Sequence, residues 1–318
     1  WQIINLYTIC AYFIEPLTRI FTCAFVELVA EGEQDPSWFV SHYWGTPFRQ
    51  TLQMLKLHCN MRGAGARFWF WVCTLANNQH RLDEELNGEL DTVPFTRVIR
   101  SPTCKGTVAV MDDKASPFQR VWCVLENYES TIKKKATGGT HRPYDIVAWV
   151  PAGSQFRGGK DVPEQAVLQK DLGSGGEVSE EAADDEMPAA FPWTVGTAGA
   201  KTDIKNAKAF SQDDKDRIMD YIGDKVNRQI QSCFFFVASD QAIRDDSPSD
   251  LKQLVQAHPA CENGTSVQGI TLAVSAANNG QAWMKTNVVP VGYRKKRCSI
   301  NDSEARCLVA AARAGRFV

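Results

Sequence analysis

The sequence predicts an α/β protein with a central, mostly parallel sheet flanked by helices. Apolar runs of strand length recur near Ser37, Phe68, Thr107 and Asp145. Between them apolar residues return at helical spacing, as in Phe48, Leu52, Leu55 and Cys59, and again in Val121, Leu125 and Tyr128. Short connections between alternating elements favour strands wound with helices over separate α and β regions.

With 318 residues the chain can bury one substantial core and a second, smaller one. A net charge of -2 and a pI near 6.3 give no global attraction to nucleic acid or to an acidic membrane, so neither is expected as a partner. The ten cysteines are scattered through apolar runs, with no C-x-x-C, no H-E-x-x-H and no clustered His and Cys. Free thiols, no metal and a reducing, cytoplasmic setting are therefore expected.

Residues 1–35 are expected to form a helix and a strand packed on the main domain. Ile3 to Val29 is the most apolar stretch, but Glu15, Pro16 and Arg19 cut it, leaving too short a run for a membrane span. It reads as a core-facing helix over Ile3 to Ile14 and a strand over Thr22 to Val29, then a polar turn from Glu31 to Pro36. A start at Trp1 without Met is how a fragment would read.

The strand Ser37 to Ser41 runs into His42-Tyr43-Trp44-Gly45, after which Thr46 and Pro47 suit the N-cap and first position of a helix. Gly45 shapes a tight turn there, or lets an anion approach the helix N-terminus. Arg67 to Leu75 is rich in aromatic and β-branched residues and reads as a central strand, its rings serving the core and not base stacking. The amide-rich loop with Asn77 and Asn78 then lies at a strand carboxyl end, where ligands bind in open α/β sheets.

Pro94 to Arg100 reads as a short helix, and Gly106 to Met111 as a buried strand with Asp112 and Asp113 at its carboxyl end. Ser116, Pro117 and Gln119 suit the N-cap, first turn and capping box of the next helix. On it, Trp122 and Glu126 lie one turn apart, which would hold a carboxylate near an indole. Lys133 to Lys135 with Gly138-Gly139 mark its end, and Tyr144 to Val150, closed by Pro151, reads as one more strand.

Trp122-Cys123-x-x-Glu126 resembles the W-C-x-x-E signature of Toll/interleukin-1 receptor (TIR) domains, and Phe39-Val40-Ser41 resembles their F-[IV]-S first box. The resemblance spans Pro36 to Pro151 and a later helix, and it implies a flavodoxin-like arrangement of strands. Several TIR domains are NAD+ hydrolases whose Glu on this helix acts at the nicotinamide ribose; carried over, that catalytic residue is Glu126. A carboxylate beside the ribose can stabilise the oxocarbenium-like state of such a cleavage. His42, Tyr43, Trp44, Gly45, Asn77, Asn78, Asp112 and Trp122 would then bind the substrate, so that NAD+ is consumed and is no cofactor. Many other TIR domains only pair with each other, so a non-catalytic adaptor or scaffold that self-associates is the competing implication. A general nucleoside-processing enzyme is a third.

Gly173 to Gly176 and the acidic run from Glu177 to Glu186 read as a flexible insertion at about 153–192, with no structure expected. Beyond Trp193, Ser211 with Asp214 caps a helix whose face is Ile218, Ile222, Val226 and Ile230, the last helix of a TIR-like domain spanning 36–232. Residues 233–318 read as an α-rich region. Thr271 to Gly280 and Cys307 to Gly315 are Ala-rich helices ending at Gly, and they resemble ankyrin-type repeats. Tyr293 to Arg297 between them reads as a basic loop.

Overall fold

A computed structural model describes residues 4–63, 68–133, 142–152, 155–156, 160–161, 165–169, 192–223, 226–227 and 230. The Ala-rich segments, the basic loop between them, Lys134, Lys135 and the Gly138-Gly139 helix end lie outside the described residues.

Strands β1 (Trp38–His42), β2 (Phe70–Trp71), β3 (Gly106–Met111), β4 (Tyr144–Val150) and β7 (Gln165–Gln169) form one five-stranded sheet in the order β2-β1-β3-β4-β7. All neighbours are parallel except β4 and β7, which pair antiparallel with Ala148 opposite Val167. Two short strands, β5 (Gln155–Phe156) and β6 (Lys160–Asp161), make a separate antiparallel pair. Among the described residues no helix is long and apolar enough to cross a membrane.

Residues of β1, β3 and β4 are buried along their whole length, as parallel strands covered on both faces must be. Period-two alternation divides their side chains between two layers. Trp38, Val40, Val108, Val110, Val147 and Trp149 pack with Met54 and Leu55 of α4 (Phe48–Met61). On the opposite face Ala109, Met111, Ile146, Ala148 and Val150 meet α8 (Val121–Tyr128) and α10 (Gln212–Ile222), through Val121, Val124, Leu125, Ile218 and Ile222. Phe39 shares that second face with Phe95 and Ile99 of α7 (Pro94–Arg100).

The α4 layer encloses an ionic group. Asp145, fully buried on β4, accepts from His58 Nε2 at 2.8 Å and from Arg62 Nε and Nη2 at 2.8 and 2.6 Å. Trp38 lies edge-on to His58 and beneath the Arg62 guanidinium. A buried carboxylate is tolerable here because every one of these partners is a donor.

Several local expectations are corrected by tertiary contacts. Thr22 to Val29 is not a strand. Thr22 takes a left-handed conformation, and Phe25–Val29 is a helix (α3) closed at its start by Glu27 Oε2 accepting the Ala24 N–H at 2.6 Å. The N-terminal helix holds Leu6, Cys10 and Ile14 in the core as expected, but it runs as α1 (Leu6–Ile9), a π-turn (Cys10–Ile14) and α2 (Glu15–Thr18). Pro16 is accommodated in the first turn of α2, where no intrahelical N–H is needed.

The aromatic run is not a central strand. Among the described residues only Phe70–Trp71 pairs in the sheet, with β1 at its edge, before the chain turns after an extended Val72 into α5 (Cys73–Ala76). Its rings are covered by other rings: Trp71 stacks on Phe39 at 5.1 Å and meets Phe95 at 5.6 Å. Aromatic burial at this edge comes from side-chain stacking, which composition alone does not distinguish from burial between two sheet neighbours.

Two predicted helix caps shift. Pro47 is the N-cap of α4, and the buried Thr46 hydroxyl has no hydrogen-bond partner among the described residues. Ser116–Gln119 is a 3-10 turn, and α8 begins at Val121, whose N–H is taken by Lys208 O at 3.1 Å while Lys208 N–H donates to Gln119 O at 2.7 Å. A distant segment thus supplies what a local cap would. The expected structureless insertion contains β5, β6 and β7. α9 (Trp193–Ala200) follows, and Ser211 caps α10 as expected, its Oγ accepting the Asp214 N–H at 3.1 Å.

Candidate functional site

At the carboxyl end of β1 the chain delivers Ser41 and His42, and α8 lays Glu126 against them. Ser41 follows Phe39 on the face covered by α8, so its hydroxyl points at that helix. It donates to Glu126 Oε2 at 2.5 Å. Glu126 is 4% exposed, with Cys123, His42 and Cys73 as its other polar neighbours. Burial pushes its carboxyl up to about 8, against the opposing pull of the Ser41 hydrogen bond and of His42.

His42 is buried, and its Nδ1 lies 3.1 Å from Val40 O. A carbonyl only accepts, so Nδ1 carries the proton and Nε2 presents a lone pair. Burial lowers the His42 pKa below its ordinary value, which keeps the ring neutral. Nε2 faces Cys73 Sγ at 3.8 Å, and Trp44 Nε1 donates to the same sulfur at 3.2 Å. Cys123 Sγ donates to His42 O at 3.4 Å, and burial raises both thiols above their ordinary range.

The turn after β1 closes over this group. The Tyr43 ring folds back across Gly45, so that a side chain at Gly45 would meet the ring at 2.4 Å. Tyr7 of α1 leans on Tyr43 and Trp44, with ring centroids 6.4 and 5.4 Å apart. Gly45 thus makes room for an aromatic ring, and α4 starts three residues later.

Of the residues expected at the site, the structure gathers Glu126, His42, Tyr43, Trp44 and Gly45 at one end of β1. Asn77 is buried one helical turn past Cys73, its N–H on Cys73 O at 2.9 Å. Asn78 holds a loop together instead: its Nδ2 donates to Thr22 O at 2.7 Å and its Oδ1 accepts the His80 N–H. Asp112 likewise closes its own turn, with Oδ1 accepting from Lys114 and Ser116 N–H. Trp122 packs on Phe95 at 5.3 Å and under the Arg217 guanidinium.

The sequence pointed to neither Ser41 nor Cys73 as a member of the group. Ser41 could have been found, since its two-residue offset from Phe39 sets its face. Cys73 could not, because its place depends on the chain leaving the sheet at Val72.

Two cavities lie elsewhere. One of about 320 Å³ is lined by Asn87 to Asp91, Arg217 and Tyr221; one of about 480 Å³ is lined by Asp113, Lys114, Gln119, Lys201, Asp203 and others. Beside the first, Arg100 bridges Asp91 and Glu129, and the Tyr221 hydroxyl lies 2.6 and 2.8 Å from the same two carboxylates. This cluster ties α10 to the π-turn Glu129–Lys133 that extends α8. Among the described residues no group of three or more His, Cys, Asp or Glu could hold a metal ion. No protein-family model matches the chain, and no match was found among curated proteins or solved structures.

Proposed function

We propose that the chain is a TIR-like NAD+ nucleosidase, acting in signalling or stress response, with Glu126 as its catalytic carboxylate. The observation that carries this reading is the Glu126 carboxyl itself, buried at the carboxyl end of a parallel strand, hydrogen-bonded to Ser41 and adjacent to His42. Carboxylates withdrawn from solvent without a cationic partner stabilise nothing by themselves and are characteristic of sites that meet a positive charge. The strand order β2-β1-β3-β4, continued by an antiparallel β7, supports a flavodoxin-like arrangement.

On this reading NAD+ brings the missing charge. Its nicotinamide ribose places a cationic ring nitrogen beside Glu126, which favours the ionised carboxylate. The C–N bond breaks with its electron pair passing to nicotinamide, which leaves neutral. Glu126 stabilises the cation developing at the ribose carbon, and water completes the hydrolysis and releases a proton. The carboxyl is buried and the turn after β1 is held by Tyr7 against Tyr43 and Trp44, so substrate entry requires local movement around the carboxyl.

The test is free nicotinamide after incubating the purified chain with NAD+, alongside Glu126→Gln. Release by the parent and none by the variant supports the enzyme. No release by the parent, or equal release by both, ends it.

A self-associating adaptor is favoured by a separate observation. Tyr12, Ile20 and Phe21 of the N-terminal segment are 82%, 86% and 65% exposed. Apolar side chains so presented are typical of protein-protein contacts. Light scattering would show a mass above the monomer that falls on Ile20→Asp or Phe21→Asp; a monomer in both cases removes this alternative.

A further inference from the structure

Cys73, which the nucleosidase reading does not use, pairs with His42. The ring has its only proton on Nδ1, committed to Val40 O, so the lone pair on Nε2 is the acceptor for the Cys73 thiol at 3.8 Å. Trp44 Nε1 points its N–H at the same sulfur from 3.2 Å, where it favours negative charge as the thiol proton leaves. Cys73 is partly exposed, unlike the buried Cys10, Cys104 and Cys123. A nucleophile, a base with the right tautomer and a donor to the developing thiolate are the parts of an activated thiol.

We propose that Cys73 is a covalent modification site for soft carbon electrophiles, α,β-unsaturated carbonyl compounds in particular, with His42 as its base. Addition forms the Sγ–C bond at the β-carbon as the C=C pair moves to the α-carbon as an enolate. His42 Nε2 takes the thiol proton and returns it to the α-carbon, so no oxidant, reductant or leaving group is required. Burial holds Cys73 as a thiol at rest, so reactivity depends on that concerted transfer and not on a standing thiolate. Modification would also place a substituent at the mouth of the Glu126 group.

N-ethylmaleimide, itself such an electrophile, is the probe. The folded chain is labelled near neutral pH and each cysteine followed by mass spectrometry. Cys73 should react about tenfold faster than Cys23 and Cys59, the other partly exposed thiols among the described residues, and His42→Ala should lower its rate about tenfold while leaving those two unchanged. Should His42→Ala unfold, labelling of Cys104 will reveal it, and Trp44→Phe then decides: it keeps the ring, removes the donor and should slow Cys73 several-fold. Cys73 labelling no faster than Cys23 and Cys59, or a rate indifferent to both substitutions, overturns the proposal.

Discussion

Ser41 Oγ donates to Glu126 Oε2 at 2.5 Å, joining the end of β1 to the middle of α8 in the most buried polar contact of the candidate site. Among the described residues no guanidinium or ammonium shares in that contact, in contrast to Asp145, which faces both Arg62 and His58. Burial pushes the Glu126 carboxyl up to about 8, so it is largely protonated at neutral pH.

Stability should depend on pH through Glu126. Its folded pKa of about 8 lies above that of the unfolded chain, so the native state holds a proton that the unfolded state releases. Stability is fully present below the unfolded pKa of 4.5, is lost as pH rises to the folded value of about 8, and levels off above it, a loss on the order of a few kcal/mol. Glu126→Gln, which cannot ionise, should flatten that decline. Urea unfolding at pH 6 and pH 9 checks it: equal losses in parent and variant would mean Glu126 does not titrate in this range.

Ser41→Ala removes the hydroxyl that favours the ionised carboxyl and leaves Glu126 short of a partner. A loss of about 1–3 kcal/mol is expected, measured as a lower urea midpoint at unchanged slope. If nicotinamide release is observed, its rising limb with pH should move further to the alkaline side in this variant. Movement the other way would contradict the role assigned to Ser41.

Asp145→Asn keeps the shape of the buried group and deletes its charge, leaving His58 and Arg62 facing a neutral amide. A cost of about 2–4 kcal/mol is expected, moderated by the partial exposure of Arg62. Nicotinamide release, if present, should survive in the folded fraction, since this network sits in the α4 layer and Glu126 in the other. Thermal unfolding and activity on one preparation separate the two effects.

Gly106→Ala would place a methyl group 2.6 Å from Pro143 O and 2.6 Å from the Trp38 ring. Backbone and a buried indole both have to shift, so a loss of about 1–3 kcal/mol is expected, read as a lower Tm. A neutral result would show that β3 enters the sheet less tightly than the structure has it.

Much of the layer architecture could be read from residue order. Gly106 to Met111 and Tyr144 to Val150 are uninterrupted apolar runs, and that property by itself calls for strands covered on both faces. The existence of α4 was legible but its buried side was not: Phe48, Leu52, Leu55 and Cys59 were expected there, whereas Thr51, Met54, Leu55 and His58 are buried and Leu52 is exposed, because Asp145 and Trp38 draw His58 inward. Ser211 announces α10, because capping is encoded within a few neighbouring residues. Glu126 was likewise picked out by a short local pattern, and His42 by its place at the end of an expected strand. What tertiary structure alone decided were the features that join distant segments. Lys208 supplies the cap that Ser116 was expected to make, β7 pairs with β4 within a segment expected to have no structure, and Phe39 and Phe95 cover Trp71, so that this run needs no second strand beside it. The neutral state of Glu126 belongs with these. A carboxyl has an ordinary pKa until the fold removes its water, and that removal depends on which residues arrive from β1, from α5 and from the turn at Tyr43.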